Sequence, residues 1–287
     1  MLLVNFDFFF LSLKYKSKIL GKKIYFIYLY IFARPKFQKL NEFFFRILIG
    51  SMGYMNSPEN FKLTGERKLL QKLQKFNLRV IVDIGANKGQ WSSMVLEETE
   101  AHVFAFEPQQ IPYIKLVQLS MKSDGRLRPI NLALGENSRE ISINVHKTSD
   151  ELSFIGKELK NLPLLEKSVK KLEVIELSTL DLFVKKNLID NIDFIKIDTE
   201  GYEYEVITGA SETIKFLRPR FIQIEMNWHQ LFKGHSLYEI SQLLPKYELY
   251  QILPFGKVLY KIDSRQPLRN FYQLSNFLFV RAGTTFG

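Results

Sequence analysis

The stretch VIVDIGANKGQWS, residues 80–92, decides the fold. Its β-branched run Val80–Val82 predicts a buried parallel strand, and a helical pattern follows the second glycine. Gly85 and Gly89 permit a tight turn and let backbone N–H groups approach a ligand. The N–H groups at the start of a helix attract an anionic group, such as a carboxylate or a phosphate. The stretch therefore predicts a strand, a ligand-binding turn and a helix.

A second strand is predicted over residues 102–106, and it leads into Glu107, twenty-two residues after Gly85. An acidic residue at that distance, at the tip of the neighbouring strand, is placed to bind the hydroxyls of a ribose. The two adjacent strand ends therefore predict a ligand that contains a nucleoside.

The spacing of the glycines distinguishes between nucleoside ligands. A dinucleotide fingerprint has three glycines in the order G-x-G-x-x-G, whereas this turn has only Gly85 and Gly89. Asp83, two residues before Gly85, suits a ligand that carries an ammonium group. S-adenosylmethionine has a ribose, an ammonium group and a carboxylate, so we expect it to be the cofactor. The alternative at this point is a glycine turn that only joins a strand to a helix.

The block DFIKIDTEG, residues 193–201, repeats the order of the first block: a strand, an acidic residue and a glycine before a helix. Another strand is predicted over residues 221–225. Strands that alternate with helices indicate an α/β fold with a parallel sheet, whose ligands lie at the carboxyl ends of the strands. The acidic residues expected at that edge are Asp83, Glu107, Asp198 and Glu225.

The remaining strands are predicted from shorter patterns. Residues 127–134 predict a third strand, and the alternation over 140–146 predicts a half-exposed strand of a hairpin. Residues 147–171 are weakly periodic and rich in lysine and serine, which is typical of a lid or an acceptor-binding loop. The end of the chain predicts an antiparallel group over 249–253, 258–262 and 274–280.

The charge of the chain is unevenly distributed. The 287 residues carry a net charge of +10, of which residues 1–50 contribute +7. A nucleic-acid-binding face would spread its basic residues along a surface, so no nucleic-acid partner is expected. The chain has no cysteine, which excludes disulfides and thiolate metal sites.

Residues 1–55 are predicted to be a basic, aromatic-rich extension, followed by one folded domain over 56–287. The apolar runs of the extension are too short to span a bilayer as a helix. Aromatic residues interleaved with lysines favour a peripheral contact with an anionic membrane, so we expect a cytoplasmic protein at the inner face of the cytoplasmic membrane. The alternatives are helices that cover the core and a translation start assigned too far upstream.

Five sequence blocks together resemble the FkbM-type methyltransferases, a family of the S-adenosylmethionine-dependent class I methyltransferases. The blocks are VIVDIGANKGQWS at 80–92, VFAFEPQ at 103–109, NLALGE at 131–136, LSTLDLF at 177–183 and DFIKIDTEGYEYEVITGA at 193–210. They occur in the order of the family, and residues 1–50 lie outside the resemblance. It implies a Rossmann-like, mostly parallel seven-stranded sheet with an antiparallel last strand and helices on both faces.

The resemblance also implies the chemistry, which is O-methylation of a small-molecule or glycan acceptor, such as a hydroxyl of a cell-envelope saccharide or a related secondary metabolite. It implies that Glu107 binds the ribose and that the segment with Asn131 and Ala133 packs against the adenine. The residues that match the first cofactor motif are Asp83, Gly85, Asn87 and Gly89. The residues that match the family's own signature are Asp198, Glu200 and Gly201.

A hydroxyl is a poor nucleophile, so its methylation gains from a base or a metal ion beside it. Asp198 is the best-placed acidic residue for a catalytic base, and His229 is a second candidate by residue type. Asp198, Glu225 and Asn227 together could form an all-oxygen site for Mg²⁺. The alternative role for Asp198 is to cap the helix that follows it.

Two other functions compete with methyl transfer. A nicotinamide-dependent oxidoreductase would also use an acid such as Glu107 to bind a ribose, but this sequence lacks the three-glycine motif of that class. A non-catalytic polysaccharide-assembly factor would retain the fold, and the intact set of Asp83, Glu107 and Asp198 argues against it. A glycosyltransferase is disfavoured because the sequence has no Asp-x-Asp motif to hold a sugar-nucleotide metal. The oligomeric state is not predicted.

Overall fold

The computed structural model describes residues 21–54, 64–146, 154–155, 169–256 and 259–285. The chain divides into two compact units, Met1–Ile49 and Gly50–Gly287. The division falls earlier than the predicted boundary after residue 55. Tyr54 already belongs to the second unit, because it bridges to Ser275 and its fully buried ring packs edge-on against Phe277.

The described part of the first unit consists of helices. Residues 21–32 are helical, and a 3₁₀ turn at Pro35–Phe37 leads into α1 (Gln38–Ser51). The Tyr28 hydroxyl donates to Asn41 Oδ1 at 2.6 Å, and the Asn41 amide donates to a carbonyl at the end of the first helix. None of the helices in the described part of the chain combines the length and the apolar character that a membrane span requires.

The second unit is built on strands joined largely by helices. Its strands are β1 (Val80–Ile84), β2 (His102–Phe106), β3 (Leu127–Ile130), β4 (Ala133–Leu134), β5 (Arg139–His146), β6 (Phe154–Ile155), β7 (Val169–Ser178), β8 (Phe194–Ile197), β9 (Phe221–Met226), β10 (Tyr247–Ile252), β11 (Leu259–Lys261) and β12 (Ser275–Arg281). Its helices are α2 (Glu66–Leu73), α3 (Gln90–Glu98), α4 (Gln110–Ser120), α5 (Leu180–Lys186), α6 (Glu203–Thr208), α7 (Ser211–Leu217), α8 (His229–Lys233) and α9 (Leu237–Gln242).

The main sheet has eight strands in the order β11-β10-β12-β9-β8-β1-β2-β3. Its neighbours from β9 to β3 pair in parallel, whereas β12 is antiparallel to both β9 and β10. The predicted Rossmann-like α/β fold with an antiparallel last strand is therefore confirmed. β11 pairs antiparallel with β10 and adds an eighth strand at the edge.

A second sheet has four strands in the order β4-β7-β5-β6. β5 pairs antiparallel with both β6 and β7, which confirms the strand predicted over residues 140–146. The predicted lid or acceptor loop over 147–171 lies mostly outside the described residues, which include only β6 and the first residues of β7 in that range.

The third strand predicted over residues 127–134 is wrong in its second half. The chain turns after β3, where the Leu132 N–H donates to the Ile130 carbonyl. The Asn131 side-chain amide holds this turn by donating to the carbonyls of Glu107 and Pro108, each at 2.9 Å. The next two residues form β4, which pairs with β7 in the other sheet.

The interior of the main sheet is apolar, as expected for parallel strands that are buried on both faces. Ile81, Phe194, Phe221 and Leu278 are all fully buried in one cluster. A polar row interrupts this interior. In the register of the sheet, Lys196 of β8 pairs with Asp83 of β1 on one side and with Gln223 of β9 on the other.

Candidate active site

A cavity of about 280 Å³ opens at the carboxyl ends of the central parallel strands. The topology of the sheet brings the predicted strand-end acids together, since Asp83, Glu107, Asp198 and Glu225 all line this cavity. Two more carboxylates, those of Glu66 and Glu200, also line it. The described lining contains one cationic side chain, Lys196. The cavity is therefore strongly acidic.

The turn after β1 is shaped by close packing at both glycines. Gly85 has a φ of +83°, and a Cβ there would lie 1.8 Å from the Asp198 carbonyl oxygen. Gly89 has a φ of +81°, and a Cβ there would lie 2.7 Å from side-chain carbons of Leu116 and Leu119. The Gly85 N–H donates to the Phe106 carbonyl at 3.0 Å instead of pointing to a ligand. Gly85 lines the cavity and Gly89 does not.

Asp83 is the most buried acid of the cavity. Its Oδ2 accepts a hydrogen bond from the Ser92 hydroxyl at 2.6 Å, while its Oδ1 has no hydrogen-bond donor among the described residues. Burial raises the pKa of Asp83 from 3.8 to about 6, although Lys196 and Ser92 lower it. A buried carboxylate oxygen without a donor is costly unless a ligand supplies one. The ammonium group of S-adenosylmethionine fits this requirement.

The Glu107 carboxylate connects the loop after β1 to the loop after β2 through hydrogen bonds. Its Oε2 accepts the Asn87 N–H at 2.9 Å, and its Oε1 accepts the Gln109 N–H at 2.8 Å. Asn87 lines the cavity, and its Oδ1 is buried without a donor among the described residues. Ala133 also lines the cavity, between two leucines, whereas Asn131 does not. Asn131 instead holds the turn between β3 and β4.

Lys196 and Glu66 belong to the site but were not predicted from the sequence. The Lys196 ammonium lies 2.6 Å from Asp198 Oδ2. Burial disfavours its charge, but the carboxylates around it, above all Asp198 and Asp83, outweigh burial and raise its pKa. Glu66 is buried and accepts from the Gln223 amide at 2.7 Å. The sequence feature that could have revealed Lys196 is a lysine inside an apolar strand, because a buried lysine needs a negative partner.

The loop after β8 brings a second group of carboxylates together. One oxygen of each of Asp198, Glu200 and Glu225 lies within 4.8 Å of the others, which would suit a metal ion. Glu200 was not in the predicted set, whose third member, Asn227, donates its amide to Glu200 Oε2 at 2.6 Å and accepts the His229 N–H on Oδ1 at 2.8 Å. Burial, and then the charge of Asp198, raise the pKa of Glu225 well above 4.5.

The proposed alternative for Asp198, a helix cap, is not what the structure contains. The backbone N–H groups of Thr199 and Gly201 donate to the side chain of Glu203, the first residue of α6. The Asp198 side chain instead pairs with Lys196, and about a quarter of it is exposed. Asp198 is therefore available to a ligand in the cavity.

His229, the second predicted base, is fully buried and is not part of the cavity lining. Its Nδ1 lies 3.0 Å from a Glu200 oxygen, and burial lowers its pKa to about 4. A Cβ added at Gly201 would lie 2.7 Å from the His229 Cβ, so the loop after β8 packs closely against the start of α8. This position supports a packing role, and catalysis by His229 stays a prediction that the geometry does not favour.

Curated proteins with related sequences are methyltransferases. The 2-O-methyltransferase NoeI of Sinorhizobium fredii is 28% identical over 200 residues, which cover 66% of this chain and 80% of that protein. The hexuronic acid methyltransferase AglP of Haloferax volcanii is 25% identical over 169 residues, which cover 56% of this chain and 60% of that protein.

Solved structures match at lower similarity. Spermidine synthase from Thermotoga maritima has a TM-score of 0.40 and 12% identity, over 77% of this chain and 61% of that chain. Fibrillarin from Aeropyrum pernix, solved with bound S-adenosyl-L-methionine, has a TM-score of 0.37 and 12% identity, over 74% of each chain. The model of the methyltransferase FkbM domain matches residues 83–252 of the sequence, which is more than half of its length. The chain therefore belongs to the FkbM methyltransferase family.

Proposed function

We propose that this methyltransferase uses S-adenosylmethionine to methylate a hydroxyl oxygen of a saccharide. One relative is named for 2-O-methylation and the other for a hexuronic acid, which is a sugar acid. Both names support an oxygen acceptor on a carbohydrate for this chain. The acceptor-binding face includes Trp228 and Tyr202, which line the cavity beside the loop after β8.

The excess of carboxylates over cations in the cavity is the observation that carries the proposal. Glu66, Asp83, Asp198 and Glu225 share one ammonium, that of Lys196, so the group prefers a positively charged ligand. S-adenosylmethionine is such a ligand, and when bound it supplies an electrophilic methyl group on a positively charged sulfur. A nicotinamide dinucleotide with its two phosphates would bring like charges into this cavity.

The cavity offers a separate group of residues to each part of the cofactor. Asp83 Oδ1 would accept a hydrogen bond from the ammonium group, and Glu107 would bind the ribose. The apolar wall that includes Ala133 would pack against the adenine. Asp198 would accept the proton of the acceptor hydroxyl as the hydroxyl oxygen gains the methyl group. Its side chain is partly exposed, and β8, which it follows, lies on the opposite side of β1 from β2, which Glu107 follows.

The alternative to a base that acts without a metal ion is a Mg²⁺ ion beside Asp198. Its ligands would be Asp198, Glu200 and Glu225, whose oxygens already lie close together. Such an ion would lower the pKa of the acceptor hydroxyl and orient it. The test is turnover after treatment with a chelator.

The experiment that tests the proposal is transfer of a labelled methyl group from S-adenosylmethionine to cell-envelope glycan fractions, including hexuronic acid polymers. We expect label in a glycan that survives mild alkali, because a methyl ether is stable to alkali and a methyl ester is not. An Asp83→Ala variant serves as the control that lacks the donor site. Alkali-labile label would contradict methylation of a hydroxyl, and no label in any glycan would contradict a saccharide acceptor.

We also infer that the first unit contacts an anionic membrane surface peripherally. Its described helices expose large apolar side chains, among them Phe26 (65%), Tyr30 (79%) and Leu48 (62%). Residues 21–49 contain six Lys or Arg and one acidic residue, Glu42. Exposed apolar groups among basic residues suit the headgroup region of an anionic bilayer.

A further inference from the structure

Lys196 occupies a position where a lysine is unusual. It is the third residue of β8, whose four residues are all buried, and its own exposure is 4%. Long charged side chains are almost never fully buried unless they are paired. A strand in the centre of a parallel sheet also leaves a lysine side chain little room to reach solvent. The charge of Lys196 therefore serves a group inside the protein.

That group is the carboxylate cluster of the cavity. The Lys196 ammonium contacts Asp198 Oδ2 at 2.6 Å, and the carboxylates of Asp83, Glu66 and Glu225 also act on its charge. The ammonium lies 5.6 Å from the centre of the Trp91 ring, within the range of a cation–π contact. Strands β1, β8 and β9 and helix α2 thus supply the acids, and β8 supplies the cation.

We propose that Lys196 is the resident cation of this cluster, which fixes Asp198 toward the acceptor and makes a divalent metal ion unnecessary for turnover. This inference rests on the proposed role of Asp198 as the proton acceptor. Lys196 is a positioning residue, because it acts on the acceptor through Asp198.

The oxygen chemistry of the cluster supports this assignment. Asp198, Glu200 and Glu225 resemble a site for a hard cation, but Mg²⁺ binds its ligand oxygens at 2.0–2.1 Å and demands octahedral geometry. The Asp198 carboxylate already holds a buried ammonium at Oδ2, and this ammonium repels a second cation on the same carboxylate. The Oε2 atom of Glu200 also accepts a hydrogen bond from the Asn227 amide at 2.6 Å.

The positioning effect follows from the same contact. With Oδ2 held by an ammonium on a rigid strand, the Asp198 side chain keeps one orientation, and its exposed part faces the cavity. An aspartate without this partner would repel Glu225 and turn away from it. Removal of the cation should therefore reduce turnover more than it reduces affinity for the methyl donor.

The test compares Lys196→Met and Lys196→Arg with the wild-type protein and with Lys122→Met, a control at an exposed lysine after α4. Three quantities are measured: turnover with and without EDTA, affinity for S-adenosylmethionine by calorimetry, and Mn²⁺ binding by calorimetry. Wild-type turnover should not change with EDTA. Lys196→Met should lower kcat by about 10²-fold or more, the usual worth of a positioned base. Donor affinity should fall less than turnover, because Lys196 also favours the charged form of Asp83, and Lys196→Arg should restore part of the turnover.

Mn²⁺ binding separates this inference from the proposed function, because it needs no acceptor. We expect no Mn²⁺ binding at the wild-type cluster and measurable binding in Lys196→Met, whose carboxylates have lost their cation. If the Met variant does not fold, the wild-type and Lys196→Arg measurements still decide. The inference is overturned by Mn²⁺ binding to the wild type that Asp198→Asn abolishes, by Mg²⁺-dependent recovery of EDTA-treated wild type, or by wild-type turnover in Lys196→Met.

Discussion

A Cβ atom at Gly85 would lie 1.8 Å from the carbonyl oxygen of Asp198, so the two signature loops of the chain touch backbone to backbone. The Asp198 N–H also donates to the Ile84 carbonyl at 2.9 Å. The turn expected to bind the cofactor and the loop expected to bind the acceptor therefore pack directly against each other at the ends of β1 and β8.

The first prediction follows from this contact. Gly85→Ala combines an unfavourable positive φ with a clash that only a backbone shift can relieve, so we expect a loss of about 3 kcal/mol or more in the free energy of unfolding. Gly125→Ala is the matched control, because Gly125 has a φ of +77° but no atom within 4 Å of its Cβ position. It should cost about 1 kcal/mol. Equal costs in chemical denaturation would show that the packing against Asp198 is unimportant.

The second prediction concerns the raised pKa of Asp83. Because its folded-state pKa is about 6 and its ordinary value is 3.8, the folded protein binds more protons between these pH values, and stability falls as the pH rises. The penalty is complete above about pH 6 and is on the order of 3 kcal/mol. Asp83→Asn should therefore raise the melting temperature of the ligand-free protein at pH 8 but not at pH 4.

The same variant should lose affinity for S-adenosylmethionine, because the neutral amide cannot pair with an ammonium group. Wild-type affinity should likewise fall as the pH drops through about 6. Calorimetry and thermal melts across pH 4–8 measure both effects. Asp124→Asn, at an exposed position after α4, should change neither quantity. A destabilised Asp83→Asn at pH 8 would contradict the assigned electrostatic cost.

The sequence was sufficient to predict the strand ends, because each acidic residue directly follows or ends an apolar run. Asp83, Glu107, Asp198 and Glu225 could be assigned to one edge by the rule for parallel sheets alone. The polar row of Asp83, Lys196 and Gln223 could not. This row depends on the register between β1, β8 and β9, and no local pattern specifies that register. Asp83 and Lys196 are more than a hundred residues apart in the sequence.

Local sequence patterns also could not predict the contact that Gly85 makes. A positive φ at Gly85 could be expected from the tight turn, but the contact with Asp198 arises only when β8 pairs beside β1. Likewise, the break between β3 and β4 follows from the Asn131 amide and its two carbonyl partners after β2. The hydrophobic pattern alone predicted one continuous strand over residues 127–134.

The third prediction tests the cofactor assignment of Glu107. Glu107→Gln keeps the size of the side chain but can accept only one of the two backbone N–H groups well and loses its charge. Affinity for S-adenosylmethionine should fall by about 1–3 kcal/mol, the range for hydrogen bonds to charged groups. Glu140→Gln, at an exposed position of β5, is the control. Saturable binding of NAD to the wild type, with no heat from S-adenosylmethionine, would refute the assignment.

The fourth prediction concerns the first unit. Replacing Tyr25, Phe26 and Tyr30 by serine removes three exposed aromatic rings, so the stability of the second unit should not change. Sedimentation with anionic vesicles should fall, because apolar insertion adds to the attraction of the basic residues. Deletion of residues 1–35 should have a larger effect and should leave donor binding intact. If the triple variant and the deletion sediment as well as the wild type at the same salt concentration, the membrane contact is excluded.

The last prediction is that Asp198 acts on the acceptor and not on the methyl donor. In the proposed binding mode, Asp83 and Glu107 bind the ammonium group and the ribose, whereas Asp198 lies in the loop after β8 with its side chain partly exposed to the cavity. Asp198→Asn keeps an oxygen for the Lys196 ammonium but removes the negative charge that accepts a proton. Donor affinity by calorimetry should therefore stay within about threefold, and turnover should fall by about 10²-fold or more. Asp190→Asn, at an exposed position before β8, is the matched control. Unchanged turnover in Asp198→Asn would exclude a catalytic role, whereas a parallel loss of donor affinity would place Asp198 among the cofactor ligands.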